Sequence, residues 1–178
     1  MSGHNKWSKI KHKKEATDAQ KSRVFSRLVK LIQVESKRAG GNTNDPGLRA
    51  VIEKAKKENM PKDNIDRAVK KGAGADSANL ESITYEAYGP GGVAIIIETL
   101  TDNRNRAAAE VRHILSKNNC ELAAQGSALW AFNRVGGAWE ATTTTTVDGS
   151  FADNLNTLIE QLEECEDVQE VFTNASSE

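Results

Sequence analysis

Residues 83–117, ITYEAYGPGGVAIIIETLTDNRNRAAAEVRHILSK, decide how the second part of the chain folds. Ile83 to Tyr88 is strand-like, and Gly89-Pro90-Gly91-Gly92 reads as a turn into a second strand, Val93 to Leu100. Thr101-Asp102 caps a helix from about Asn103 to Lys117, with an inner face of Ala107, Val111, Ile114 and Leu115. Downstream come a strand near Ala128 to Asn133, a turn at Gly136-Gly137, and a strand from Trp139 to Val147. That last strand takes in five consecutive threonines, whose β-branching suits a strand better than disorder. A helix from about Phe151 to Cys165 carries Leu155, Leu158, Ile159 and Leu162, and Val168 to Thr173 is the final strand. Apart from the first strand, the order is β-α-β, hairpin, β-α-β. This is the ferredoxin-like arrangement, an antiparallel sheet with two helices on one face. Ile83 to Tyr88 then extends the sheet beside Val93 to Leu100.

The chain upstream reads as helical. Val24, Phe25, Leu28, Leu31 and Ile32 recur at helical spacing between about Asp18 and Ala39, and Gly40-Gly41 stops that helix. Asp45-Pro46 looks like an N-cap followed by proline in the first turn, opening a helix faced by Leu48, Val51, Ile52 and Ala55. Pro61 starts a third, short helix with Ile65, Ala68 and Val69, which Gly72 closes. The expected fold is therefore α+β, with an N-terminal three-helix domain followed by a ferredoxin-like βαββαβ domain bearing one extra N-terminal strand. The boundaries are 1–72 for the basic helical domain, 73–79 for a small, polar linker, and 80–178 for the acidic domain.

Charge follows the same division. The 178 residues carry a net charge of -1, but residues 1–72 hold 19 Lys and Arg against 8 Asp and Glu, and residues 73–178 hold 5 against 17. A dipolar chain with one anion-seeking end results. The longest apolar run is about five residues, far short of a membrane span. The basic N-terminus lacks the apolar segment of a secretory signal. Cys120 and Cys165 match no zinc spacing and read as reduced thiols of a cytosolic protein. Three scattered histidines suggest no metal cluster, so neither a metal nor a cofactor is expected. Gly89 to Gly92 lacks the Gly-Lys-Ser/Thr of a phosphate loop and joins strand to strand. Asp102, Glu110 and His113 are explained by capping and solvent exposure, and no serine or cysteine sits in a nucleophile motif. The chain is expected not to be an enzyme.

The cations are the stronger signal. Lys6, Lys9, Lys11, Lys13 and Lys14, with Trp7 and His12 interleaved, crowd the first fourteen residues. Dense cations release counterions from a phosphate backbone, and an indole offers a face on which a base can stack. On the first long helix, 100° per residue puts Arg23, Arg27, Lys30 and Lys37 on one stripe opposite Phe25, Leu28 and Ile32. Arg104 and Arg106 sit in the first turn of their helix, where the dipole disfavours cations. That points either to nucleic-acid contact or to pairing with the nearby acidic surface.

Several blocks resemble one known family. Gly3-His4-Asn5-Lys6-Trp7-Ser8-Lys9-Ile10-Lys11-His12-Lys13-Lys14 closely resembles the opening of the YebC family of probable transcriptional regulators. The likeness continues in Asn59-Met60-Pro61-Lys62-Asp63-Asn64-Ile65, in Tyr85-Glu86-Ala87-Tyr88-Gly89-Pro90-Gly91-Gly92-Val93, and in Thr101-Asp102-Asn103-Arg104-Asn105-Arg106. It extends to the ending, Asp167-Val168-Gln169-Glu170-Val171-Phe172-Thr173-Asn174-Ala175. The resemblance implies a cytoplasmic, non-enzymatic protein acting on gene expression. Bacterial members are described as DNA-binding regulators, and others act in translation at stalled ribosomes or in mitochondria. The motif opens at residue 3, leaving no room for a transit peptide, which favours a bacterial-type cytoplasmic member. Family members usually carry a third domain inserted within the second, and here only the turn near Val135-Gly136-Gly137 stands at that point.

The expected function is nucleic-acid binding in the regulation of gene expression, with DNA or ribosomal RNA as target, a ribosome as a further partner, and a monomer favoured. The alternative is a protein-interaction adaptor whose acidic domain binds a basic partner such as a ribosomal protein.

Overall fold

The computed structural model describes residues 18–177. They form two compact units that divide at Glu81 and Ser82.

The first unit consists of α1 (Asp18–Ala39), α2 (Pro46–Lys57) and α3 (Lys62–Ala73) around a core of Leu28, Ile32, Leu48, Ile52, Ala55, Met60, Ile65 and Ala68. α1 ends where Gly40 and Gly41 take φ of 60° and 79°, and the Gly41 amide donates to the Ser36 carbonyl at 2.9 Å. Only glycine adopts that left-handed pair without cost, so the chain reverses there. Asp45 caps α2, its Oδ1 accepting from the Gly47 and Leu48 amides at 2.9 and 3.2 Å. Arg38 pairs with both Asp45 and Glu35, tying the end of α1 to that cap.

Gly72 behaves differently from the sequence reading. α3 runs through it to Ala73, and Gly74 is the C-cap. Gly72 faces α1 at a point where a Cβ would lie 2.5 Å from the Gln33 carbonyl oxygen. Beside it, the buried Ser36 hydroxyl donates to the Val69 carbonyl at 2.6 Å. Gly72 thus permits close helix approach rather than ending a helix.

The second unit holds, in chain order, β1 (Glu81–Tyr88), β2 (Ala94–Thr101), α4 (Arg104–Lys117), β3 (Glu121–Leu122), β4 (Phe132–Val135), β5 (Ala138–Ala141), β6 (Thr145–Thr146), α5 (Gly149–Glu164), β7 (Val168–Thr173) and β8 (Ala175–Ser176). The main sheet has the order β3-β1-β2-β7. β2 and β7 are antiparallel, with Ile95 opposite Thr173 and Ile97 opposite Val171. β1 and β2 are joined by the glycine turn, closed by a Gly89 amide to Val93 carbonyl bond of 2.8 Å. The α+β class stands, with helices first and a unit of antiparallel main sheet and helices second, and so does the added strand beside β2.

Both faces of β2 are covered. Val93, Ile95 and Ile97 pack with Val111 and Leu115 of α4 and Leu155, Leu158 and Leu162 of α5. On the other face, Ala94 and Ile96 join Ala128, Ala131 and Phe132, with Trp139 and Phe172 against them. Ile95, Ile96 and Ile97 are all fully buried, each contributing about 1.5–3 kcal/mol of transfer free energy.

The β4–β5 hairpin is where strand placement departs from expectation. It forms its own two-stranded sheet instead of joining the main one, because it covers the second face of β2. Glu98 of β2 fastens it, accepting from Arg134 Nη1 at 2.9 Å and Trp139 Nε1 at 2.6 Å, while the Arg134 guanidinium lies over the Trp139 ring. The long threonine strand is also divided. β5 stops at Ala141, and Thr145–Thr146 pair in parallel with Ala175–Ser176. The buried Asn174 draws the chain across, its Nδ2 donating to the Thr143 carbonyl at 3.0 Å and its Oδ1 accepting from the Ala94 amide at 2.8 Å. Residues 128–131, expected as the start of a strand, instead include a 3-10 turn at Leu129–Ala131. Glu86 holds that segment, its buried carboxylate accepting from the amides of Gly126, Ala128 and Leu129.

Candidate nucleic-acid interface

Lys6, Trp7, Lys9, Lys11, His12, Lys13 and Lys14 lie outside the described residues. The other candidates fall into two groups. Arg23, Arg27 and Lys30 of α1 are half-buried, and Lys37 is exposed with its Nζ donating to Asn79 Oδ1 at 2.6 Å. The helix turns this stripe away from Leu28 and Ile32, which enter the core.

Arg104 and Arg106 belong to the sheet unit. Arg106 is committed to carboxylates, with Nη2 2.7 Å from Asp102 Oδ1 and 3.0 Å from Asp167 Oδ1. The Asp167 side chain is only 2% exposed, and these hydrogen bonds hold the guanidinium well above its ordinary pKa. Of the two readings of Arg106, the geometry favours pairing with the acidic surface. The cap of α4 is Asn103, whose Oδ1 accepts from the Arg106 amide at 3.1 Å, and not Asp102, which is an ion-pair partner. Thr101 sets this turn by accepting from the Asn103 amide at 2.9 Å.

Sequence reasoning missed a cleft of about 770 Å³ between α2 and α3. Its apolar lining includes Ile52, Met60, Ile65 and Val69, and its charged lining is Arg49, Glu53 and Lys56 from α2 with Lys62, Asp66 and Lys70 from α3. Lys56 Nζ is 2.9 Å from Glu53 Oε1, and that bond holds the Glu53 carboxyl below its usual pKa. Arg49, Lys62 and Lys70 are exposed and make no salt bridge within 4 Å among the described residues, although the Arg49 charge helps to lower the Glu53 pKa. The signal was present as spacing: positions 49, 53 and 56, and again 62, 66 and 70, follow helical periodicity. Each row reads basic–acidic–basic, so no run of like charge marks it.

Exposed Lys54, Lys57, Arg67 and Lys71 add to this charge. Residues 18–81 hold fourteen Lys and Arg against nine Asp and Glu, and residues 82–177 hold five against fourteen. Among the described residues, no group of three or more His, Cys, Asp or Glu is placed to hold a metal, and no helix is long and apolar enough to cross a membrane. Cys120 is buried, and burial pushes its thiol pKa up, opposite to what a reactive cysteine needs.

Residues 5–75 match the family model for the TACO1/YebC protein N-terminal domain, and residues 80–138 match the one for the TACO1/YebC second and third domain. The chain belongs to the TACO1/YebC family. It is 48% identical over 175 residues to a probable transcriptional regulatory protein of Desulfatibacillum aliphaticivorans, covering 97% of this chain and 71% of the relative. It is 53% identical over 138 residues to a protein of the same description from Desulfosudis oleivorans, covering 76% of this chain and 56% of the relative. In that match and in a similar one from Fervidobacterium nodosum, the chain spans about half the relative's length. The fold is similar to the crystal structure of a conserved hypothetical protein from Aquifex aeolicus, with a TM-score of 0.83, 30% identity, and coverage of 93% of this chain and 94% of that one.

Proposed function

We propose that the chain is a non-enzymatic, nucleic-acid-binding regulator of gene expression whose helical unit supplies the phosphate contacts. One observation carries this reading: Lys62 and Lys70 line a cleft without ion-pair partners among the described residues, beside Arg49, which makes no salt bridge within 4 Å. Charges left unpaired in this way are available to replace the counterions of a polyanion. The names of the TACO1/YebC relatives, probable transcriptional regulatory proteins, support a regulatory role. Backbone contact suits either DNA or a folded ribosomal RNA, since phosphate contacts position a protein without reading sequence. The cations of α1 and the basic sequence 6–14 add positive charge to the N-terminal part of the chain, and cytoplasmic action agrees with this reading. Arg106 is left out of this interface because two aspartates already neutralise it.

Fluorescence anisotropy of the full chain with a labelled DNA duplex and a folded RNA tests this. The double variant Lys62→Glu/Lys70→Glu weakens every nucleic acid that binds, whatever its sequence, while Arg112→Glu on α4 leaves binding unchanged. Equal binding by the Lys62→Glu/Lys70→Glu variant and the parent would remove the cleft cations from the interface.

A second reading, an adaptor that takes a basic partner through the acidic unit, is favoured by one surface feature. Trp130 is 58% exposed, yet its Nε1 is held by Tyr88 Oη at 2.9 Å, which keeps an aromatic face ready for contact. A lysine-rich peptide that quenches tryptophan fluorescence in the parent, but not in Trp130→Phe, supports this reading. Absence of quenching in the parent counts against it.

A further inference from the structure

The α2–α3 cleft has a chemistry that phosphate binding alone does not use. Its cations lie around an apolar floor formed by Ile52, Met60 and Val69. A duplex presents a rigid, charged backbone and keeps its bases stacked inside, so it can satisfy the rim and leave the floor wet. Ile52 and Met60 show only an edge to the cleft and Val69 is half-buried, so an apolar, flat group attached to an anion covers what is exposed while meeting the cations. An unpaired nucleotide is such a group, with the base lying on the floor and its flanking phosphates meeting Arg49, Lys62 and Lys70. The volume of about 770 Å³ falls within the roughly 300–1,000 Å³ of clefts that enclose small ligands. The Asp66 carboxylate in the lining opposes phosphate at that point, yet it can accept from a base amino or imino group.

We propose that the cleft between α2 and α3 receives an unpaired base, so the helical unit prefers single-stranded or bulged nucleic acid to intact duplex. This rests on the proposed function above and deepens it at the same site. The floor is aliphatic, so the gain per base comes from desolvation and falls toward the lower part of the stacking range. A preference of about tenfold is expected.

The test uses the full chain and three labelled probes: a short mixed-sequence single strand, the same strand with abasic sites at its centre, and the blunt duplex. The abasic strand keeps every phosphate and loses only the bases. The expected result is that the intact single strand binds about tenfold tighter than the abasic strand and tighter than the duplex. Lys62→Glu/Lys70→Glu should weaken all three. Val69→Thr, which keeps the side-chain shape while making the floor polar, should narrow the gap between intact and abasic strands by weakening the intact one. Equal affinity for intact and abasic strands overturns the base pocket while leaving phosphate binding in place. No binding by any probe at low salt overturns both. Tighter binding by an acidic amphipathic peptide that displaces the strand reassigns the cleft to a protein partner and also overturns the proposal.

Discussion

Replacing Gly72 with alanine separates two opposed physical effects within one helix. On propensity alone the change is favourable, because alanine exceeds glycine by about 1 kcal/mol in a helix interior. The structure predicts the reverse outcome. A Cβ at Gly72 would stand 2.5 Å from the Gln33 carbonyl oxygen, 2.8 Å from the Gln33 Cα and 2.9 Å from the Ser36 Cβ. Two of these are backbone atoms that cannot rotate away. Restoring an ordinary 3.4 Å contact with the Gln33 oxygen requires α1 and α3 to part by about 0.9 Å along that line. Overpacking of this kind costs about 3 kcal/mol, at the upper end of its range because the obstruction is main chain. Parting the helices also stretches the 2.6 Å bond from Ser36 Oγ to the Val69 carbonyl, a loss of about 1 kcal/mol. After the propensity gain is set against these, the helical unit should lose about 3 kcal/mol. Hydrogen exchange followed by mass spectrometry reads this directly, since protection of slow α1 and α3 amides should fall roughly a hundredfold while β2 and β7 amides stay unchanged. Lys71→Ala, on an exposed position of the same helix, provides the propensity control and should leave protection nearly unaltered. Gly72→Ala protection equal to or above the parent's would refute the close helix approach.

Three other substitutions probe the remaining joints. Glu86→Ala leaves up to three loop amides without their acceptor, so the sheet unit should lose about 3 kcal/mol or more in urea unfolding followed by tryptophan fluorescence. Asp45 titrates below the usual carboxylate range because Arg38 and the Leu48 amide bond its charged form. A carboxyl with a depressed folded pKa stabilises above its unfolded value of about 4 and ceases to as pH falls through the folded value. Stability of the helical unit should therefore decline in acid below about pH 4, and less steeply in Asp45→Asn, which retains a cap but does not titrate. Arg106→Ala should lower the melting temperature of the sheet unit by stranding the buried Asp167, yet leave the affinity of the folded protein for nucleic acid unchanged.

Much of the helical unit was legible because its stops are chemical. Gly40-Gly41 and Asp45-Pro46 act through φ and capping, which single residues determine locally. Gly72 was misread because its purpose is contact with α1, which no local pattern records. In the sheet unit, the run Ala94–Ile97 held a further clue. Both parities are apolar, as in strands covered on both faces, while a sheet with one open face alternates. That places a second layer on β2, and the hairpin with Phe132 and Trp139 is that layer. The division of the threonine strand depends on Asn174, some thirty residues away, so the β-propensity of Thr142–Thr146 could not show it. The α2–α3 cleft went unseen for a related reason: it comes from the geometry of two neighbouring helices, and its alternating charges conceal it from a search for charge runs.

The central claim, that the helical unit binds nucleic acid through its phosphates, is tested most directly by salt dependence. The full chain should bind duplex DNA or folded RNA with log affinity falling linearly against log salt, at a slope corresponding to several phosphates. Reversing Arg49, Lys62 and Lys70 together should reduce that slope by about three. A slope near zero, or one that the triple reversal leaves unaltered, would contradict the account.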